Sequence, residues 1–372
     1  MNIGIDIRAA KWYRGTGIGT YTYQLVNSLN NQDIKNTYNL YSDNSSIDIP
    51  FNSNFNTVLS SNEPSSNFWE SVQKPMAVDP SSLNLYHVPQ NGMGLPESSE
   101  VPVVITLHDT IPLHMPETVS DTYLNLFNSK MPELINRCQG IITVSEYSKR
   151  DIINDFNFPE DRVFVTHLAS ENIYRPIDKI LCSSMVKNHY NLPDNYILYV
   201  GGFSPRKNIA GLIKAYSLIR NKLPLGMKLV IAGTKGKSFS IYSDLAYKLN
   251  IAEDVIFPGF IDMEYMPYLY GAAELLVYPS FYEGFGLPPL EAMACGVPVI
   301  ASNVTSLPEV LGDSALLCNP DNIYELASFI IEVIENSRLR QILINRGFSK
   351  ASSLNWNKTA ANTIKIYKSL LK

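Results

Sequence analysis

Tyr278-Pro-Ser-Phe-Tyr-Glu-Gly-Phe-Gly-Leu-Pro-Pro-Leu-Glu291 follows an apolar run, Leu275–Tyr278, and opens a helical pattern over Gly286–Cys295. A short apolar run bounded by turn signals reads as a buried strand. The stretch therefore sits at the C-terminal edge of a strand, where doubly wound sheets bind their ligands. Gly284 and Gly286 allow close backbone approach, and a helix start can receive an anionic phosphate. Gly296 and Pro298 give the helix a stop. Glu283 precedes the helix and Glu291 lies more than a turn into it, so both carboxylates can face one cleft. A carboxylate accepts two hydroxyl hydrogen bonds at once, which suits a ribose or sugar diol. The plain alternative is a turn and helix with solvated glutamates; the glycines and the flanking strand weigh against it.

The same alternation of strand and helix extends outward in both directions. Asn2–Ile7, Val101–Leu107, Gly140–Val144 and Val163–His167 read as strands, followed by Tyr196–Val200, Lys228–Ala232, Asp254–Phe257, Leu275–Tyr278 and Pro298–Ala301. Their near-continuous Val, Ile and Leu content suits strands buried on both faces of a parallel sheet. Between them, Lys207–Asn221 places Ile209, Leu212, Ile213, Tyr216 and Ile219 on one helical stripe. The fold class is α/β, with two doubly wound units. Residues 31–100, rich in Asn, Ser and Pro, read as long loops with short irregular elements. Ser170–Pro193, punctuated by Pro176 and Pro193, is the best linker candidate. The last segment, 356–372, is amphipathic and can cap the second domain or cross back to the first.

A length of 372 residues fits two domains. Hydrophobic residues make up 45%, enough for two cores, and the net charge of −5 argues against a basic nucleic-acid binder. That charge is uneven: residues 1–170 carry 10 Lys and Arg against 18 Asp and Glu, whereas 171–372 carry 20 against 17. The mildly cationic second part suits a diphosphate-binding half. The acidic first part weakens a broad basic docking face for anionic lipid, although a peripheral contact stays open near Lys11 and Arg14. The four cysteines, Cys138, Cys182, Cys295 and Cys318, have neither metal-ligand nor disulfide-framework spacing. No signal-peptide pattern opens the chain and no apolar run approaches the roughly 20 residues of a bilayer span. The expected location is cytoplasmic, with the inner face of a membrane left open.

Three further constellations stand at strand ends. Val200-Gly-Gly-Phe-Ser-Pro-Arg-Lys-Asn208 puts Arg206 and Lys207 near a helix start, where the dipole disfavours cations unless an anion lies between. Arg can grip a phosphate bidentately; a solvated basic turn is the alternative. Arg14-Gly-Thr-Gly-Ile-Gly-Thr-Tyr21 is only a partial dinucleotide fingerprint, because Thr20 stands where the last glycine belongs. His108-Asp109 follows the Val101–Leu107 strand; a lone histidine is more often structural, and its place at a strand's C-terminal end brings a functional role level with a structural one. The chain has no D-x-D pair, no phosphate loop of the G-x-x-x-x-G-K-[ST] type and no G-x-S-x-G elbow. Phosphate charge is thus expected to fall to Arg206, Lys207, backbone amides and a helix dipole, with no metal and no cofactor.

Together these motifs resemble the retaining glycosyltransferases of family 4, which have the GT-B fold. Val200–Asn208 and Tyr278–Ser302 carry the resemblance most specifically, supported by His108-Asp109, Ile142–Lys149 and Phe257-Pro-Gly-Phe260. It implies two Rossmann-like domains facing across a cleft: 1–170 receives the acceptor, 171–355 binds a nucleotide-diphosphate sugar, and 356–372 crosses back to the first domain. By the same resemblance, Glu291 holds the ribose hydroxyls and Glu283 the sugar hydroxyls. Phe285, Gly286 and Leu287 fix sugar and diphosphate through their amides, and Gly201 and the loop containing Gly17 approach the diphosphate. Arg206 and Lys207 stabilise the leaving group, His108 lines the reaction centre, and Phe260 and Ile261 meet the base. Gly202 stands where many members carry Arg, a charge that Arg206 is expected to replace. The Pro-Arg-Lys-Asn pattern resembles mannosyltransferases especially. It favours GDP-mannose as donor, leaves UDP-sugars open, and points to a glycan or lipid-linked acceptor. A nucleotide-sugar epimerase or hydrolase and a non-catalytic nucleotide-sugar binder are the competing readings.

Overall fold

The computed structural model describes all residues except 44–46, 48, 60–66, 97–99, 237 and 372. The chain divides into two compact units, Met1–Leu168 with Trp356–Lys372, and Ala169–Asn355.

The first unit is built on seven strands: β1 (Asn2–Asp6), β2 (Thr37–Ser42), β3 (Phe55–Leu59), β4 (Leu85–Val88), β5 (Val103–Thr106), β6 (Gly140–Thr143) and β7 (Val163–Val165). They pair in parallel in the order β3-β2-β1-β4-β5-β6-β7. The second unit carries β8 (Tyr196–Val200), β9 (Lys228–Ala232), β10 (Val255–Gly259), β11 (Leu275–Tyr278), β12 (Val299–Ser302) and β13 (Leu316–Cys318). Its parallel order is β10-β9-β8-β11-β12-β13. In each sheet the order reverses once, between β1 and β4 and between β8 and β11. Both units are therefore Rossmann-like, and each has one topological switch point, the place where doubly wound sheets bind ligands. Every residue of β4, β5, β6, β11 and β12 is buried, which explains their mostly apolar sequence, interrupted by His87, Thr106, Thr143 and Ser302.

Residues 31–100 depart from the expectation of loops, since they supply β2, β3 and β4 and a short helix, Phe68–Gln73. Their asparagines close turns around these strands instead of marking irregular chain. Asn54 donates to the carbonyls of Asp33 and Asn36, and Asn52 and Asn30 bond each other's backbone. Asp33 in turn accepts from Tyr38 Oη at 2.7 Å. Parts of that stretch, at 44–46, 60–66 and 97–99, lie outside the described residues. Ser170–Pro193 also departs from expectation. It contains the helix Lys179–Tyr190, capped by Asp178 and ended by Asn191 in the left-handed region, with Cys182 and Val186 buried beneath it.

The helix Trp356–Leu370 belongs to the first unit, where it packs on the helix Gly17–Gln32. Thr16 caps the latter by accepting from Gly19 N at 2.9 Å. Among the described residues no helix is long and apolar enough to cross a membrane.

Candidate active site

At the switch point of the second unit, the loop after β8 and the loop after β11 meet. Phe281 N donates to Arg206 O at 2.8 Å and ties them together. The expected helix at Lys207 is broken here. Pro205–Lys207 forms a 3-10 turn, Asn208 takes a φ of 54°, and the α-helix begins at Ile209. Asn tolerates that left-handed conformation, and its side chain accepts from Gly211 N at 3.1 Å. Arg206 and Lys207 are thereby lifted off the helix and turned onto Glu283.

Lys207 Nζ lies 2.6 Å from Glu283 Oε1 and 2.8 Å from Tyr278 Oη, and Arg206 lies 3.1 Å from Glu283 Oε2. Glu283 is only 7% exposed. Burial opposes its charge, yet Lys207 and Arg206 more than offset that and hold its carboxyl down to about 2. Its backbone is fixed as well: Glu283 N donates to Thr305 Oγ1 at 3.1 Å, and Ser306 Oγ donates to Glu283 O at 2.8 Å. Thr305 adopts a φ of 55°, a costly position for a β-branched residue. Strain at this point lies against a carboxylate held by two cations.

Beyond Glu283, Phe285 is buried and Gly286 turns the chain with a φ of 102° into the helix Leu287–Ala294. A Cβ at Gly286 would stand 2.7 Å from Leu307 Cδ2. In the other loop Gly233 allows a close crossing, since a Cβ there would stand 2.0 Å from Gly201 O, and a Cβ at Gly201 would stand 2.7 Å from Tyr199 Oη. Gly202 is exposed and faces open space, so no cation stands there.

Glu291 has a separate environment. Tyr270 donates to its Oε2 at 2.7 Å. Burial pushes its carboxyl up to about 7, with the nearby charge of Glu171 adding to the rise and the tyrosines Tyr270 and Tyr174 opposing it. Glu283 and Glu291 thus end with opposite tendencies: one is locked as an anion, the other is poised near neutrality. Ile261 is buried and Phe260 is 54% exposed just past β10.

In the first unit, His108 follows β5 and is 8% exposed. Its Nε2 lies 3.1 Å from Pro89 O, and a carbonyl can only accept, so Nε2 carries the proton and Nδ1 keeps its lone pair. Burial lowers its pKa to about 4, against the opposing bond to Pro89. The ring is neutral near pH 7. Gly17 opens the helix Gly17–Gln32 with open space where a Cβ would go; the tight glycine is Gly19, whose Cβ would meet Trp12 O at 2.2 Å.

The structure thus brings Arg206, Lys207 and Glu283 into one cluster at the edge of the second sheet. It places Glu291, Phe285, Gly286 and Leu287 on the adjoining turn and helix, and His108 and Gly17 in the first unit. Tyr270, Tyr278, Thr305 and Ser306 were not singled out by sequence. Tyr278 lies inside the quoted stretch. Thr305 and Ser306 follow β12, the neighbour of β11, so only the strand order reveals their role. Among the described residues no group of three or more His, Cys, Asp or Glu is placed to hold a metal ion.

Comparison with known proteins bears on this arrangement. Residues 184–350 match the model for glycosyl transferases group 1, and residues 15–169 match that for glycosyltransferase family 4. The chain is 36% identical over 286 residues to the O-antigen chain mannosyltransferase B of Escherichia coli, covering 77% of this chain and 74% of that protein. It is 30% identical to the serotype-specific mannosyltransferase WbdA of Escherichia coli over 72% of this chain, which is 33% of the longer protein. Among solved structures, sucrose-phosphate synthase from Thermosynechococcus elongatus aligns over 100% of this chain and 99% of its own with a TM-score of 0.76 at 21% identity. Anabaena HepE, solved in complex with UDP and glucose, aligns over 99% of this chain and 100% of its own at 0.72 and 17%. Two matching family models, a related mannosyltransferase aligned over most of its length and a shared two-domain architecture agree: this chain belongs to the family 4 glycosyltransferases and has the GT-B fold.

Proposed function

We propose that this enzyme transfers mannose from GDP-mannose to a hydroxyl of a glycan or lipid-linked acceptor, with retention of anomeric configuration and without a metal ion. The observation that carries the reading is the Arg206–Glu283–Lys207 cluster at the switch point beside a helix N-terminus. The likeness to O-antigen mannosyltransferases supports the choice of sugar and an assembly role in a surface polysaccharide. The work is assigned to the cytoplasmic side.

In this reading Glu291 accepts the two ribose hydroxyls and Glu283 accepts from sugar hydroxyls. Arg206, Lys207 and the amides at Phe285–Leu287 stabilise the negative charge that grows on the departing diphosphate. Glu283 keeps both cations aimed at one point, so little reorganisation is needed when that charge appears. As the bond from the anomeric carbon to the diphosphate oxygen breaks, the acceptor oxygen bonds to the same face. Its proton passes to the leaving phosphate oxygen. No side chain of the cluster is placed as a covalent nucleophile. His108, neutral and with Nδ1 as acceptor, takes a hydrogen bond from a sugar hydroxyl.

A thermal-shift screen against GDP-mannose, UDP-glucose, UDP-N-acetylglucosamine and ADP-glucose tests the donor, followed by NMR of the product's anomeric centre. The expected result is a shift with GDP-mannose and an α-linked product. An inverted product defeats the mechanism, and acceptor-independent epimerisation defeats transfer.

A further inference from the structure

His87 is fully buried in β4, and nothing in the proposed reaction uses it. Its Nδ1 lies 2.7 Å from Tyr367 Oη, on the helix Trp356–Leu370, and its Nε2 lies 2.8 Å from Thr106 Oγ1, in β5. Thr106 Oγ1 lies 3.0 Å from Tyr21 Oη, and the Tyr21 ring packs edge-on against His108 with centroids 4.9 Å apart. His108 follows Thr106 by two residues, just past the end of β5. The chain running on from His87 also reaches His108: Pro89 O accepts from its Nε2 and Asn91 Oδ1 accepts from its backbone N.

We propose that His87 is a positioning residue for His108, and that Tyr367 couples that setting to the C-terminal helix. Four polar side chains in series are an expensive way to fill a core, since every donor and acceptor must be satisfied together. Burial lowers the His87 pKa to about 3, so its ring carries one proton. That single proton sets the direction of both hydroxyl bonds at once, and Tyr21 carries the result to the face of His108. The inference rests on the reading of His108 as the acceptor of a substrate hydroxyl.

The test follows GDP release from GDP-mannose by the full chain carrying Tyr367→Phe, His87→Gln or His87→Phe, each with and without His108→Ala. We expect Tyr367→Phe to lower kcat about threefold and His87→Phe about tenfold, with donor KM held within about twofold. His87→Gln, which keeps one donor and one acceptor, recovers part of the loss. In the His108→Ala background the further loss shrinks to less than about twofold, because the partner acted upon is gone. Unchanged kcat in both Tyr367→Phe and His87→Phe overturns the proposal, as does an equal loss in the two backgrounds. If His87→Phe does not fold, Tyr367→Phe carries the same cycle. His108→Ala turning over like the parent overturns the reading of His108, and this proposal with it. Should GDP-mannose not be turned over, ring 1H–13C spectra of His108 decide: shifted His108 ring signals are expected in Tyr367→Phe with the Nε2–H tautomer kept by Pro89 O, and identical spectra overturn the proposal.

Discussion

Lys207 and Glu283 form an ion pair of 2.6 Å, almost shut off from solvent, between loops that follow two adjacent strands of one sheet. Two cations near a helix start call for an anion, and in this structure the chain supplies it. In the proposed reading, a diphosphate entering the site meets Arg206 and Lys207 already engaged with Glu283, and shares them.

That sharing makes Glu283→Gln informative. We predict that it binds GDP about threefold to tenfold more tightly than the parent, because two cations lose their competing carboxylate, while turnover falls at least about tenfold. Calorimetry with GDP and initial rates check both halves. Weaker GDP binding would mean that Glu283 aligns the cations without competing for them.

The same carboxyl gives an acid-side signature. Its pKa lies at about 2, below the unfolded value near 4.5, so its contribution to stability is complete above that value and is lost as pH falls toward 2. Chemical denaturation at pH 5 and pH 3 should show a larger drop for the parent than for Glu283→Gln. Equal drops contradict the assignment.

Glu291 predicts the opposite dependence. Its pKa is raised to about 7, so the folded state is favoured while it is protonated, and that advantage is lost as pH rises through 7. A ribose clamp needs the ionised form. Nucleotide affinity should therefore weaken by up to about tenfold per unit below pH 7, and Glu291→Gln should be flat. Tyr270→Phe removes a bond that favours the anion and should move the midpoint upward. A midpoint that stays put in Tyr270→Phe counts against the Tyr270 contact.

The glycines separate by local geometry. Gly19→Ala forces a Cβ against the Trp12 carbonyl and Gly286→Ala combines a left-handed φ with a clash on Leu307, so each should cost about 1–3 kcal/mol. Gly17→Ala meets nothing and should be neutral or stabilising by up to about 1 kcal/mol. Urea titrations rank the three. Lost activity in a stable Gly17→Ala variant would then report on substrate, not on the fold.

Sequence reading succeeded on the central, mostly apolar strands of the second unit, and missed the fully buried β4, whose apolar run holds His87. Tyr196–Val200, Lys228–Ala232 and Leu275–Tyr278 were legible to the residue because strands covered on both faces are apolar along nearly their whole length. It failed at β2 and β3, where Thr37–Ser42 mixes polar and apolar residues and β3 forms the sheet edge, so Asn-rich turns hid the strands between them. It also missed β13, three residues long at the opposite edge of its sheet. The motif Tyr278–Glu291 exposed the two glutamates but not their different partners. Tyr270 sits 21 positions from Glu291, and only the fold brings its hydroxyl to the carboxylate. In the same way the sequence showed that Arg206 and Lys207 needed an anion, without showing that Glu283 was that anion.

The central claim is that the Lys207–Glu283 pair belongs to the donor site of a GDP-mannose-dependent transferase. Its most direct test is GDP release from GDP-mannose by purified parent, Lys207→Ala and Glu283→Ala proteins, each verified as folded. The account predicts turnover by the parent and a loss of at least about tenfold in each variant, equivalent to about 1.4 kcal/mol of barrier stabilisation. Near-parental turnover in both variants would contradict it.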